Sequence, residues 1–320
     1  MVKPNYYDKF RCIADRCKHT CCAGWEIDVN EEALARYQKM EGPLGQKLKE
    51  NIVMDEDPYF KLIGEEERCP FLNSQNLCEI ILECGEESLC QICSDHPRFR
   101  NELNGEEEIG VGLCCEAAAA LILGQEEKCF LTGDFDDEFF DPLEEEIFKS
   151  RQRAFEILQD RSISIEERGE HLLEEFDICL PEMSREEWVE FYLSLERMDD
   201  EWTRELEGLR DSMSVKESTE ECDSMTSQEN LEHLEIPFEQ FLVYLVYRHL
   251  VEAQDFTDIK AQIGYVYINF KLVQYLCRKK AYCSLEDFLE LARLFSSEIE
   301  YSQENTDEIL ERIWEVNETK

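Results

Sequence analysis

Apolar side chains follow two different rhythms along this chain. Beyond about residue 140 they recur at helical spacing with charged residues between them, whereas the first 130 residues break into short apolar runs divided by turn residues. Capping boxes mark three helix starts in the second part, at Ser164-x-x-Glu167, Ser184-x-x-Glu187 and Ser284-x-x-Asp287. They predict helices over 164–177, 184–208 and 284–299. The segment Ile236–Gln254 is apolar nearly all round, which places it in a core. Residues 211–230, rich in Ser, Glu and Thr, lack an apolar face and read as a mobile acidic loop. In the first part, a helix over 31–51 should break near Gly42-Pro43, and Cys115–Gly124 should form a short buried helix closed by its glycine. The pattern predicts a mainly α protein with little sheet. An irregular, metal-stapled, cysteine-rich domain over 1–133 precedes an α-helical domain over 134–320, joined through the acidic stretch Asp134–Pro142. No internal repeat is present; the doublets Cys21-Cys22 and Cys114-Cys115 have unrelated flanks.

Composition narrows the function classes. Of 320 residues, 43% are hydrophobic and 11% aromatic, enough to offset the entropy of folding. Seventy-five acidic against 33 basic side chains give a formal charge of -42, which repels phosphate backbones and anionic lipid. Nucleic acid and membrane surfaces are therefore not expected partners, while cationic ligands and lysine-rich protein surfaces are attracted. No apolar leader opens the chain and no stretch offers 18 uncharged apolar residues, so a cytoplasmic location is expected. In a reducing compartment, dense cysteines are metal ligands more often than disulfides.

Twelve of the 16 cysteines fall in the first 130 residues. One group is Cys12-x4-Cys17-x3-Cys21-Cys22. A second runs from Cys69 through Cys78 to Cys90-x2-Cys93 and Arg98, and Cys114-Cys115 follows. Thiolates two to four residues apart swing onto one centre across a turn, and distant pairs close it on folding. Four thiolates suit zinc and an iron–sulfur cluster equally, so spacing leaves the metal open. The excess of sulfurs is best read as one site plus buried thiols, with Cys84, Cys129, Cys179, Cys222, Cys277 and Cys283 as packing residues. His19 reads as a solvated loop histidine. Asp95, His96 and Arg98 stand where they would surround a bound metal, and Arg98 is either a bidentate carboxylate receptor or a salt-bridge partner.

The order Phe10-x-Cys-x4-Cys-x3-Cys-Cys-x-Gly-Trp25, Cys69-Pro-Phe-Leu-x4-Leu-Cys78, Leu89-Cys-x2-Cys-x3-Pro-Arg98 and Cys115-Glu-Ala-Ala resembles the flagellin lysine-N-methylase (FliB) family, a group of zinc- or iron-chelating cysteine-cluster proteins. Tyr247-Arg-His-Leu250 and Glu300-Tyr-Ser-x2-Asn305 look like that family's later signatures. The resemblance implies methyl transfer from S-adenosylmethionine to flagellin lysines. It also implies an iron–sulfur cluster, of four irons and four sulfides, drawing its ligands from Cys12, Cys17, Cys21, Cys22, Cys69, Cys78, Cys90, Cys93 and Cys115. Under this reading Arg98 receives the carboxylate of the methionine moiety. Where the family often has a single cysteine followed by proline, this chain has Cys114-Cys115-Glu116.

A lysine amine of pKa near 10.4 is neutral in only about one molecule in 2,500 at pH 7, so an acceptor site must remove its proton. His249, Tyr247 and Glu300 are candidate inner groups, though Tyr and His on buried faces more commonly serve structure. No glycine-rich strand-to-helix turn and no C-x3-C-x2-C run mark a cofactor site. A second reading is a non-catalytic zinc- or iron-binding module whose acidic helical domain docks a basic protein.

Overall fold

A computed structural model describes residues 1–318 except 66, 135–137, 217–230 and 281. The chain is mainly helical, and its sheets are three two-stranded ribbons among the described residues. It divides into two compact units, Arg11–Phe99 and a larger one made of Met1–Phe10 with Arg100–Lys320.

The Arg11–Phe99 unit is largely loops, with helices α1 (Glu31–Lys39), α2 (Gly42–Asn51), α3 (Glu79–Cys84) and α4 (Gln91–Asp95). The break between α1 and α2 falls at Gly42-Pro43. Gly42 takes φ +84°, a conformation that glycine reaches without strain, and Pro43 opens the next helix. Tyr37, Phe60 and Phe71 stack into a small aromatic core with Ile27, Ala33 and Leu48. Cys69 and Cys90 are buried in it, and Cys22, Cys78, Cys84 and Cys93 pack against it. Hydrogen bonds from both sides pin the Cys90 turn to α1, among them one from Arg36 to Leu89 O at 2.9 Å. The Asn30 side chain accepts from Gln91 N at 2.9 Å, and Tyr37 Oη donates to Ser88 O at 2.7 Å.

The larger unit holds α5 (Glu116–Leu123), α6 (Pro142–Leu158), α7 (Ile165–Glu175), α8 (Arg185–Ser194), α9 (Asp200–Lys216), α10 (Glu235–His249), α11 (Phe256–Lys279), α12 (Leu285–Phe295) and α13 (Gln303–Glu318). As its pattern predicts, α10 is buried on every side, against α5, α6 and α11. Its Phe238 and Phe241 meet Phe270, Phe288 and Phe295.

Three sequence expectations change. Residues 100–133, grouped with the cysteine-rich domain on pattern, cluster instead with the helices. The N-terminal strand pairs Lys3 and Pro4 with Thr132 and Leu131, while Val2 exchanges backbone hydrogen bonds with Glu107 and Ile109. These ladders and the packing of α5 on α10 and α12 hold the segment there. The helix over 184–208 is two helices, because Leu195 is extended and Asp199 caps the second by accepting from Glu201 N at 2.7 Å. Within 211–230, residues 211–216 continue α9; the remainder of the mobile-loop expectation, with Cys222, lies outside the described residues.

Candidate functional site

Of the nine sequence-predicted ligands, eight lie in the Arg11–Phe99 unit and Cys115 lies in the other, as the N-cap of α5. Folding separates the eight. Cys12 and Cys21 are exposed, although the Cys21 thiol reaches that of Cys22, and Cys17 donates to its own loop at His19 O, 3.1 Å away. Cys22, Cys69, Cys78, Cys90 and Cys93 are gathered by the aromatic core, close enough for each charge to act on the others' titration. A backbone bond from Cys69 N to Cys22 O at 2.8 Å joins the two distant cysteine groups.

The thiols are not equivalent. A hydrogen bond from the Cys21 thiol brings Cys22 down to about 7, against the opposing effect of its burial. Burial pushes Cys69 up to about 12 and raises Cys78. Cys93 donates to Cys90, which raises the first and lowers the second. Among the described residues no three Cys, His, Asp or Glu side chains converge on one point as ligands of a single ion. Five gathered thiols are a donor set that both a tetrahedral zinc ion and an iron–sulfur cluster could draw on. His96 faces Trp25 at 6.0 Å, and burial with the nearby Arg98 brings its pKa down to about 4, so the ring is neutral. Arg98 donates to Ser94 O at 3.1 Å.

A second concentration of polar groups lies in the larger unit. After α12 the backbone widens into a π-turn over Ser296–Glu300, a feature common at functional sites. This turn carries Glu300 against α10. Glu300 accepts from Tyr244 Oη at 3.1 Å, meets His249 Nε2 at 2.7 Å and lies 3.5 Å from Arg248 Nε. Arg248 also donates to Tyr244 Oη at 2.8 Å and to Glu300 O at 3.3 Å, and it covers the Tyr301 ring at 4.8 Å. Tyr301 and the Cys114 thiol are hydrogen-bond partners. Burial alone disfavours charge on Glu300, but the Arg248 guanidinium and His249 outweigh it and hold the carboxyl below its ordinary value. For His249 burial is likewise outweighed, here by the Glu252 and Glu300 carboxylates, so its pKa rises. That direction favours the protonated ring and weighs against His249 as an acceptor of a lysine proton. Tyr247 lies apart from this network. It donates to Ile109 O at 3.1 Å, and its ring lies 5.7 Å from Arg151, which is paired with Glu108 at 2.6 Å.

The two stretches that resemble late family signatures, 247–250 and 300–305, thus meet in one buried network. No protein-family model matches the chain, and no solved structure does. Curated relatives do match. The flagellar biosynthetic protein FliU of Salmonella muenchen is 23% identical over 129 residues, 38% of this chain and 76% of that protein. The lysine-N-methylases of Salmonella typhimurium LT2 and Salmonella choleraesuis SC-B67 are each 21% identical over 138 residues, 41% of this chain and 34% of theirs. The chain is thus similar, at low identity, to lysine-N-methylases. The match covers about a third of each methylase, so the kinship is established for part of their length only. With two-stranded ribbons as its sheets, the described structure lacks the doubly wound parallel sheet of conventional nucleotide-binding methyltransferases. No described helix is long and apolar enough to cross a membrane.

Sequence reasoning singled out His249 and Glu300 but missed Arg248, Tyr244 and Tyr301. Arg248 sat inside the quoted Tyr247-Arg-His-Leu250 stretch and was legible there. Tyr244 was legible only as a core residue, because its hydroxyl finds its partners through the fold.

Proposed function

We propose that the chain is a protein-lysine N-methyltransferase that moves the methyl group of S-adenosylmethionine to lysine side chains of flagellin, with an iron–sulfur cluster in its cysteine-rich unit. The observation that carries the reading is the meeting of 247–250 with 300–305 in a single network, in a chain whose curated relatives are named lysine-N-methylases. Under the second reading, a non-catalytic metal module, the same network is a structural tie between α10 and the π-turn.

In the transfer, the neutral ε-amine attacks the methyl carbon, the carbon–sulfur bond breaks and the sulfonium departs as a neutral thioether. The amine must lose one proton overall. The chain's negative field brings cationic lysine to the surface, but it also favours the ammonium, so capture and proton removal need different groups. Arg98 is the proposed contact for the methionine carboxylate, through the bidentate geometry a guanidinium offers.

Four ligands for the cluster would come from Cys22, Cys69, Cys78, Cys90 and Cys93, because these are the thiols the fold gathers. When bound, such a cluster supplies a covalent cross-link among loops and a one-electron centre. The unit it would cross-link has short helices and a small core, the setting in which a metal contributes most to folding.

Anaerobic purification followed by iron, sulfide and zinc analysis, a visible spectrum and S-adenosylmethionine binding tests the reading. A brown protein with stoichiometric iron and sulfide that binds S-adenosylmethionine is expected. A colourless zinc protein that does not bind it would leave the second reading, a metal module whose acidic helices dock a basic protein.

A further inference from the structure

A pocket of about 320 Å³ opens between α8, the connection to α9, α9 itself and the π-turn. Its wall includes Leu193 and Leu206, the ring systems of Tyr192 and Trp202, and the carboxylates of Glu207 and Glu298. Glu298 distinguishes this pocket from an ordinary acidic surface. Four glutamates are buried among the described residues, namely Glu108, Glu239, Glu298 and Glu300. Glu108 is paired with Arg151 at 2.6 Å, Glu239 with Arg161 and Arg168 at 2.8 Å, and Glu300 with His249 at 2.7 Å and Arg248 at 3.5 Å. Glu298, 2% exposed, has no cationic side chain at ion-pair distance among the described residues. Two guanidiniums also line the pocket: Arg197, which acts on Glu298 from farther away, is paired with Asp200 at 2.5 Å, and Arg210 lies 3.8 Å from Glu190 and 3.6 Å from Asp211.

A buried carboxylate without a counter-ion is costly, and burial raises the Glu298 carboxyl above its ordinary value. Glu298 is partly compensated by two backbone donors, Met198 N at 2.9 Å and Asp199 N at 2.7 Å. A carboxylate offers about four acceptor positions, so about two remain. On the same wall Trp202 is 2% exposed; its indole N–H, a donor only, takes no part in holding a cation.

We propose that this pocket is a binding site for an alkyl-ammonium side chain, which supplies Glu298 with its missing counter-ion. The leucines pack the alkyl stem, the Trp202 and Tyr192 rings favour a cation by their π-faces, and exposed Glu207 attracts it from outside. Identifying the occupant as the acceptor lysine rests on the methyltransferase reading; the pocket's preference for an alkyl-ammonium group does not. Glu298 and Glu300 share the π-turn, so one turn carries both the pocket's carboxylate and the buried network's.

The test is calorimetric titration of the intact protein at low salt with N-acetyl-lysine N-methylamide, and with the norleucine analogue that keeps the stem and lacks the charge. Lysine binding with at least tenfold preference over norleucine is expected. Glu298→Gln should lower lysine affinity about tenfold and Glu207→Gln two- to threefold. Equal binding of the two probes, or no binding of either, overturns the proposal. If Glu298→Gln fails to fold by circular dichroism, Glu207→Gln and the salt dependence decide, and a neutral substitution with a flat salt response overturns it. Methyl-transfer assays separate the two readings. Lysine binding without transfer retains the site and removes the methyltransferase, whereas transfer whose lysine KM is unchanged in both variants retains the enzyme and removes the site.

Discussion

Replacing Glu300 by Gln preserves the shape of the side chain and removes its charge at the centre of the α10 network. Arg248, 8% exposed, and His249, 2% exposed, would lose the carboxylate they share. Breaking a buried ion pair from one side costs about 3–5 kcal/mol, because the remaining charge stays desolvated. In a unit of this size each kcal/mol moves the melting temperature by about 2–4 °C, so Glu300→Gln should melt roughly 6–20 °C below the parent. The loss should also depend on pH in a defined direction. Glu300 is held below its ordinary value of 4.5, so its contribution is present above that value and lost as pH falls through the depressed folded one. His249 is raised above 6.5, so its contribution is complete below 6.5 and lost as pH rises through the raised folded value. The gap between parent and variant should therefore be widest between about pH 5 and 6 and narrow towards pH 3. Calorimetric scans of both proteins across that range provide the measurement. A variant melting within a degree or two of the parent, or a gap that widens on acidification, would refute the reasoning.

Other consequences can be checked independently. Cys22→Ser, Cys69→Ser and Cys90→Ser should each lose most of the iron and sulfide found in the parent, whereas Cys12→Ser, at an exposed position, should retain it; elemental analysis with visible spectra would reveal any other ranking. A Cβ at Gly264 in α11 would lie 2.6 Å from Ile313 Cγ2 and 3.4 Å from Ile178 Cγ2. Overpacking of about 1–3 kcal/mol then opposes a helix-propensity gain of about 1 kcal/mol, so Gly264→Ala should lower the melting temperature. A rise would mean that α13 yields at that contact. Methylation of a lysine-rich protein should weaken steeply with added salt, since capture relies on a field of net charge -42. A Michaelis constant indifferent to ionic strength would remove that field from the mechanism.

Local signals carried far in the helical unit. The three capping boxes at Ser164, Ser184 and Ser284 all form, with Asp287 serving as well as a glutamate. The all-round apolar run of α10 is the core it resembled as a pattern. The interruption at 195–199 was hidden because its cap, Asp199, stands in a run of charged residues that also suits a helix surface. Part of the support for that break comes from Glu298, a hundred positions away. The assignment of residues 100–133 depended on strand pairing with the chain's first four residues, which no local window contains. Cysteine spacing gave the candidate ligands but not their grouping. That grouping follows from packing around Tyr37, Phe60 and Phe71, which buries Cys69 and Cys90 and leaves Cys12 and Cys21 at the surface. Glu298 had no sequence signal at all, since a buried carboxylate without a counter-ion becomes visible only when its neighbours are known.

The central claim is lysine methylation, and its most direct test is to incubate anaerobically purified protein with S-adenosylmethionine and unmodified flagellin, then map products by peptide mass spectrometry. The account predicts methyl increments on surface lysines, dependence on S-adenosylmethionine, and loss of the increments in the Cys69→Ser and Cys90→Ser proteins. Flagellin that remains unmodified in the presence of an iron- and sulfide-replete, correctly folded protein would contradict it.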